Sequence, residues 1–227
     1  IRNSAMAAFA AQNRAITRED YVVRCYSMPK KFGSVAKAYI IGDTQQIKAD
    51  KPYIDNTEVL NPMALNLYTL GYNVDKKLVP LNIAIKENLR TYLSNFRMLT
   101  DAINIKDAHI INISIEFEII PRPKYNSNEV LLRCIKHLKD LLHIDRMQIN
   151  QPINISNLMT ELDKLEGVQS VASFDVFNMF NELDGYSGNA YGIEGAIKNN
   201  ILYPSLDPSI FEIKFPDKDI KGKIVSK

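Results

Sequence analysis

The chain has 227 residues, of which 46% are hydrophobic and 24% are charged, and its net charge is +2. A chain of this length forms one large or two modest domains and buries roughly 70% of the surface that its unfolded form exposes. The near-neutral charge excludes a strong field that would steer the protein to nucleic acid or anionic lipid. No run approaches the roughly 18 consecutive apolar residues of a membrane span. The opening at Ile1, with the string IRNSAM, favours the later part of a longer polypeptide.

The first predicted element is a helix that begins after Thr17. The Thr17 hydroxyl can accept a hydrogen bond from an unpaired main-chain N–H, and Asp20, three residues later, can accept one from the main chain of the cap. Tyr21 and Cys25 then lie on one apolar stripe. Pro29 ends the helix, because the residue before a proline disfavours the helical conformation.

Two strands and a longer helix are predicted next. The strands cover residues 34–41 and 65–72, and the polar stretch 42–63 between them shows little periodicity. Because long stretches of this kind are uncommon inside a compact domain, we interpret it as a surface excursion. The helix begins at Pro80, since proline is favoured at the first helical position, and its apolar face must pack on a sheet.

The sharpest strand pattern in the chain is residues 108–120, AHIINISIEFEII. Apolar and polar residues alternate along it, which predicts one face in the core and one face that is solvated or covered by a partner. The other elements predicted in this half are helices from Asn128 to about Leu142 and over 156–165, and strands over 147–149, 168–180 and 210–215.

These elements predict an α+β protein. We expect two small α/β-sandwich lobes with mixed or antiparallel sheets, ferredoxin-like in character. The first lobe covers residues 1–104 and includes the 42–63 excursion. The second lobe covers residues 105–227 and ends in an extended C-terminal segment.

The sequence offers few residues for metal binding or catalysis. There is no P-loop, no glycine-rich dinucleotide motif and no CxxC pair. Residues 184–189, DGYSGN, carry oxygen ligands without the spacing of a calcium loop, and we interpret them as a tight turn with an aromatic contact. Cys25 and Cys134 fall on apolar helix faces and are expected to be inert core thiols. The histidines lack the spacing of paired zinc ligands: they are His109, His137 and His143. We therefore expect no catalytic residue, cofactor or metal.

Three carboxylates give the best argument for an enzyme. Glu116 and Glu118 share the polar face of the 108–120 strand, and Asp175 lies on another predicted strand. Glycoside hydrolysis needs two carboxyl groups held across a cleft, so a hydrolase is the alternative function. Neighbouring glutamates on a solvated strand face usually do no chemistry, and we prefer that interpretation.

The extended C-terminal segment contains more apolar and aromatic residues than its strands require. Pro204 and Pro208 interrupt it. Two interpretations stay open: a long loop packed around its own core, or an arm that packs on a second subunit. Tyrosine enrichment with little charge is typical of an interface core. The candidate subunit interface is Tyr186, Tyr191, Tyr203, Ile210 and Phe211.

Several strings in the chain resemble a known family. AQNRAITREDY at residues 11–21, followed by Pro29 and the strand VAKAYI, is similar to the opening of baseplate J-like proteins, which build the wedges of contractile tails. Further strings resemble the C-terminal part of the large baseplate wedge subunits of T-even-type bacteriophages and their marine relatives: LNLYTLGYN, ENLRTYLSNFRMLTDAINIKDA, INQPINIS, LEGVQSV and YPSLDPSIFEIKFP. The resemblance covers essentially the whole chain, but residues 42–63 carry no motif of the family.

The resemblance implies a structural virion protein of the tail baseplate, without catalysis. It implies contacts between copies of the chain, as a homodimer and in a higher ring around the tail hub, and contacts with other baseplate wedge proteins. A nucleic-acid-binding module is a third interpretation, but the near-neutral charge argues against nucleic acid, and no membrane partner is expected.

Overall fold

The computed structural model describes residues 14–42, 64–98 and 100–225, and the chain divides into two compact units. Unit 1 runs through Ala108 and also includes Leu206–Pro208, whereas unit 2 comprises His109–Ser205 and the residues from Ser209 onward. The sequence prediction placed the division between residues 104 and 105, which falls inside a strand of unit 1. The predicted excursion, apart from Gly42, lies outside the described residues.

Unit 1 is built around one long central strand, β2. Its elements are α1 (Arg18–Tyr26), β1 (Lys37–Gly42), β2 (Ala64–Tyr72), β3 (Leu78–Val79), α2 (Ile83–Ser94) and β4 (Ala102–Asp107), with a 3-10 turn at Lys30–Phe32. Strand β2 pairs antiparallel with β1 and β3 and parallel with β4. Both helices contribute side chains to one core with residues from β1 and β2, so unit 1 is a two-layer α/β sandwich.

The predicted cap of α1 is confirmed. The Thr17 hydroxyl accepts a hydrogen bond from the Asp20 N–H at 3.2 Å, and the Asp20 carboxylate accepts one from the Thr17 N–H at 2.8 Å. A second N–H, that of Ile16, donates to the same carboxylate oxygen at 3.0 Å. These main-chain bonds to the charged form lower the pKa of Asp20 below its ordinary value.

The core of unit 1 forms where the helices cover the sheet. Tyr21 and Cys25 of α1 and Leu89 and Leu93 of α2 are each at most 1% exposed. Fully burying one leucine contributes about 1.5–3 kcal/mol, so the helical stripes account for much of this unit's stability. Helix α2 begins at Ile83 rather than at Pro80, because the Asn82 side chain accepts a hydrogen bond from the Ala84 N–H and acts as the cap.

Unit 2 contains a second and larger mixed sheet. Its elements are β5 (His109–Pro121), α3 (Ser127–Leu141), β6 (Ile153–Asn154), α4 (Ile155–Asp163), β7 (Val168–Met179), α5 (Ile193–Ala196), β8 (Ile197–Lys198), β9 (Ile201–Leu202), β10 (Ser209–Glu212), α6 (Pro216–Asp219) and β11 (Ile220–Ile224). Strands β6, β9 and β8 make a separate small sheet. Residues 147–149, predicted as a strand, have no strand structure, although Met147 and Ile149 are buried.

Strand β5 organises the main sheet of unit 2. It pairs antiparallel with β7 and parallel with both β10 and β11. Helix α3 packs against β11 and β5, and α4 packs against β7. A Cβ atom at Gly222 of β11 would lie 2.5 Å from the Leu131 side chain and 2.6 Å from the Phe117 side chain, so a larger residue here would have to displace one or both of them.

The two faces of β5 differ from the prediction in one respect. The apolar face is buried as expected, with Ile113, Ile115 and Phe117 each 1% exposed. The polar face is not uniformly solvated, because Asn112 is fully buried and Ser114 is 8% exposed. Only the later part of that face is open to solvent. Taken together, the helices and mixed sheets of both units confirm the predicted α+β class.

Candidate functional site

Three of the five predicted interface residues lie in the core of unit 2. Ile210 and Phe211 belong to β10, pair in parallel with β5 and are 0% and 1% exposed. Tyr186 is 4% exposed. The structure therefore corrects the interface assignment for these residues: they pack within their own unit and are not surface that a second subunit would meet. The extra apolar side chains of this segment are buried within unit 2 because β10 pairs directly with β5.

Tyr186 is held by a polar contact as well as by packing. Its hydroxyl donates to the Asp219 carboxylate at 2.5 Å, and the other oxygen of that carboxylate accepts from the Phe215 N–H at 2.8 Å. The Phe215 ring meets the Tyr186 ring edge to face, with centroids 5.4 Å apart. Burial and the bond to Asp219 raise the pKa of Tyr186 above its ordinary value. This arrangement anchors the loop after β7 to the segment that leads into β11.

Tyr191 and Tyr203, the other two predicted interface residues, are more accessible. The Tyr191 hydroxyl donates to the Tyr203 carbonyl at 2.8 Å, and burial raises the pKa of Tyr191. The Tyr203 side chain is 44% exposed. Of the original set, Tyr203 is the one that presents substantial aromatic surface to solvent.

A buried polar group at the start of β5 was missed by the sequence prediction. The Asn112 side chain donates to Glu212 at 2.9 Å and accepts from the Ser187 N–H at 2.7 Å. The Asn112 carbonyl accepts from the Asn178 side chain at 3.0 Å, and the Asn178 side-chain oxygen accepts from the Tyr191 N–H at 2.8 Å. Three segments are thereby tied to one asparagine. Because Asn112 occupies a polar position in the alternating pattern of the strand, the sequence predicted a solvated side chain.

The three candidate catalytic carboxylates lie on the open part of one sheet face, with Glu116 and Glu118 on β5 and Asp175 on β7. Glu116 is directly opposite Asp175 across the β5–β7 pair and beside Lys221 of β11. The Lys221 ammonium donates to Glu116 at 3.2 Å, while Glu118 is in register with Lys223. Each glutamate thus stands beside a lysine on an exposed sheet surface, whereas glycoside hydrolysis needs two carboxyls facing each other across a cleft.

The remaining sequence candidates have structural roles in the described residues. Asp184 accepts a hydrogen bond from the Asn181 side chain at 2.7 Å, and Gly185 has a left-handed backbone with φ of 82°. The 184–189 loop is therefore a tight turn with the Tyr186 aromatic contact, as predicted. Within the described ranges, no group of three His, Cys, Asp or Glu side chains is placed to hold a metal ion.

Both cysteines are buried free thiols. Burial raises the pKa of Cys25 to about 12 and that of Cys134 to about 11. Since the thiolate is the nucleophilic form, burial and the raised pKa both disfavour reaction of either thiol at neutral pH. No helix in the part of the chain that the structure describes is long and apolar enough to span a membrane.

Three exposed apolar side chains are close in sequence at and just after the end of β7. Phe177 is 48% exposed, Phe180 is 55% exposed and Leu183, in the turn that follows, is 96% exposed. Asp175 is the single charge in residues 168–181, and Glu182 and Asp184 lie on either side of Leu183. Single exposed apolar residues are ordinary on protein surfaces, but three of them lie within positions 177–183 of the sequence, and we call these three residues the β7-end patch.

Comparison with known proteins gives a structural likeness without a sequence family. No family model matches the chain, and no curated protein matches it. Among solved structures, 17 chains match. One belongs to the six-fold symmetrised cryo-EM structure of the anti-feeding prophage baseplate, with a TM-score of 0.58 and 12% sequence identity.

That match covers 93% of this chain and 40% of the prophage baseplate chain. The protein therefore shares the fold of a chain of the anti-feeding prophage baseplate over most of its length. It spans well under half of the length of that relative. At this identity the likeness establishes the fold alone.

Proposed function

We propose that this protein is a structural component of a contractile-tail baseplate. The observation that carries the proposal is the backbone likeness to a chain of the anti-feeding prophage baseplate over 93% of the sequence. The resemblance of its sequence strings to baseplate wedge subunits is independent of that likeness and points in the same direction. On this proposal the chain resides in the tail of the assembled particle.

In its finer form, the proposal makes the chain the C-terminal part of a large wedge subunit. This part would contact other copies of itself and neighbouring wedge proteins, and so join the wedges into a ring around the tail hub. It would do no chemistry. The lysine beside Glu116 and the open sheet face around it support a non-catalytic role.

The β7-end patch is the surface of unit 2 that best suits contact between copies. It offers exposed apolar side chains, whereas three of the residues predicted from the sequence are buried. Obligate interfaces bury on the order of 2,000 Å² or more and are more apolar than the rest of the surface. The patch would therefore supply the centre of such an interface and not its whole area.

Light scattering on the purified chain at micromolar concentration tests self-association. We expect a dimer, and we expect Phe180→Asp combined with Leu183→Asp to shift it to a monomer with an unchanged circular dichroism spectrum. Leu132→Asp is the matched control, because Leu132 is 66% exposed on α3. A wild-type monomer would overturn self-association. A dimer that resists the double substitution would remove the β7-end patch from the interface.

A further inference from the structure

A groove in unit 1 runs between helix α2 and strand β4. It has a volume of about 320 Å³ and is lined by Arg90, Thr91, Ser94, Arg97 and Ile103. Arg90, Thr91 and Ser94 lie on α2, Arg97 lies in the turn that follows the helix, and Ile103 belongs to β4. The lining residues thus combine two cations, two hydroxyls and one apolar side chain.

One wall of the groove is the edge of a sheet. Within residues 14–42, 64–98 and 100–225, β4 pairs with β2 alone. Ile103 and Ile105 pack toward the core of unit 1, while none of the described strands pairs with the second edge of β4. An exposed edge of this kind can accept a further strand, and main-chain hydrogen bonds then provide affinity.

The other wall is basic. The Arg90 guanidinium donates to Glu87 at 2.8 Å, and the Arg90 side chain is still 54% exposed. The Arg97 guanidinium donates to the Asp101 carbonyl at 2.7 Å. Each guanidinium has five N–H donors, so these bonds fix the direction of the two groups and leave donors for a bound carboxylate. Among the described residues that line the groove, none is acidic.

We propose that this groove binds an extended, acidic segment of a partner protein, which adds to β4 as a strand and places its carboxylates against Arg90 and Arg97. The main chain would pair with the β4 edge, and alternate side chains would face the helix, as in other cases of strand addition beside a helix. Arginine suits this role because its planar fork matches a carboxylate. The inference rests on the proposed function only in taking the partner to be another protein of the assembly.

Fluorescence anisotropy with two labelled synthetic peptides of equal length tests the proposal. One peptide alternates valine with glutamate, and the other alternates valine with lysine. We expect the glutamate peptide to bind at least about tenfold more tightly, and we expect Arg90→Glu combined with Arg97→Glu to abolish that preference. Lys30→Glu combined with Lys31→Glu is the matched control, since it makes the same charge change on exposed residues of unit 1.

Hydrogen exchange supplies the second readout. Binding of the glutamate peptide should slow exchange of main-chain amides in β4 more than in β1. Absence of saturable binding, equal binding by the arginine variant, or protection of β1 without protection of β4 would each overturn the proposal. Tighter binding of an oligo-dT probe than of the glutamate peptide would overturn it in favour of nucleic acid. These outcomes are separable from self-association, which light scattering on the same variants reports.

Discussion

The Tyr186 hydroxyl and the Asp219 carboxylate form a buried hydrogen bond between residues that are 33 positions apart. Both side chains are at most 4% exposed. The bond joins the loop after β7 to the helical turn before β11, and β11 pairs with β5. A tyrosine that the sequence assigned to an interface therefore helps to hold the sheet of unit 2 together.

Replacing Tyr186 by phenylalanine is expected to destabilise unit 2 by about 1–3 kcal/mol, because it leaves a buried carboxylate oxygen without its donor. Urea denaturation followed by circular dichroism measures the change. Tyr203→Phe, at the 44% exposed position, is the matched control and should change stability by less than about 0.5 kcal/mol. Equal effects of the two substitutions would show that the Tyr186 hydroxyl contributes nothing specific.

The raised pKa of Tyr186 also predicts a loss of stability in alkali. A group with a higher pKa in the folded protein stabilises it fully below the unfolded pKa, which is 10.0 for tyrosine, and this contribution is lost as pH rises toward the folded pKa. Unfolding midpoints measured from neutral pH upward should therefore fall above pH 10. The fall should be shallower in Tyr186→Phe, and an identical slope in both proteins would contradict the assignment.

Asn112→Ala is expected to lower the free energy of unfolding by about 1–3 kcal/mol. The substitution removes the side chain that donates to the buried Glu212 and accepts from the Ser187 N–H. Thermal unfolding provides the measurement. Asn157→Ala, on the exposed side of α4, should be nearly neutral. If Asn112→Ala is also neutral, the polar group at the start of β5 does not hold the 187–191 segment in place.

The α1 cap should make unit 1 sensitive to acid. The lowered pKa of Asp20 means that its contribution is present above the unfolded value of 3.8 and is lost as pH falls through the folded pKa. Asp20→Asn should lower stability at neutral pH, and it should make the further loss of stability below pH 4 smaller than in the unmodified protein. Unfolding midpoints measured at a series of acid pH values provide the test. Glu19→Gln, one residue earlier and exposed, should leave both unchanged.

The two buried thiols should report the opening of each unit separately. Cys25 lies in unit 1 and Cys134 in unit 2, and both have raised pKa values. In Cys134→Ala and Cys25→Ala proteins, a thiol reagent at neutral pH should react slowly in native buffer and rapidly in denaturant. Rapid labelling of either variant in native buffer would show that its thiol is accessible without unfolding.

Local signals predicted the elements whose stabilising contacts lie close in sequence. The α1 cap depends on Thr17 and Asp20, three residues apart, and the alternation of β5 is visible along one strand. The sequence pattern did not predict strand β4. Ala102–Asp107 is short, and it forms a strand by pairing in parallel with β2, which lies about 38 residues earlier in the chain. That pairing also places residues 105–107 with unit 1.

The candidate site was less predictable for the same reason. The burial of Ile210 and Phe211 results from pairing with β5, about a hundred positions earlier, and the same pairing places Glu212 beside Asn112. Apolar content reveals that such residues must be covered, but it does not reveal whether the cover comes from the same chain or from another. The groove beside β4 was not foreseen because it needs both α2 and the edge of β4.

The central claim is that this chain is a structural part of a contractile-tail baseplate. Immunogold electron microscopy with an antibody against the chain, applied to purified contractile particles that carry it, tests this most directly. We predict label at the baseplate end of intact particles, in a ring around the tail hub. Label restricted to the sheath, or recovery of the chain only in fractions free of particles, would contradict the account.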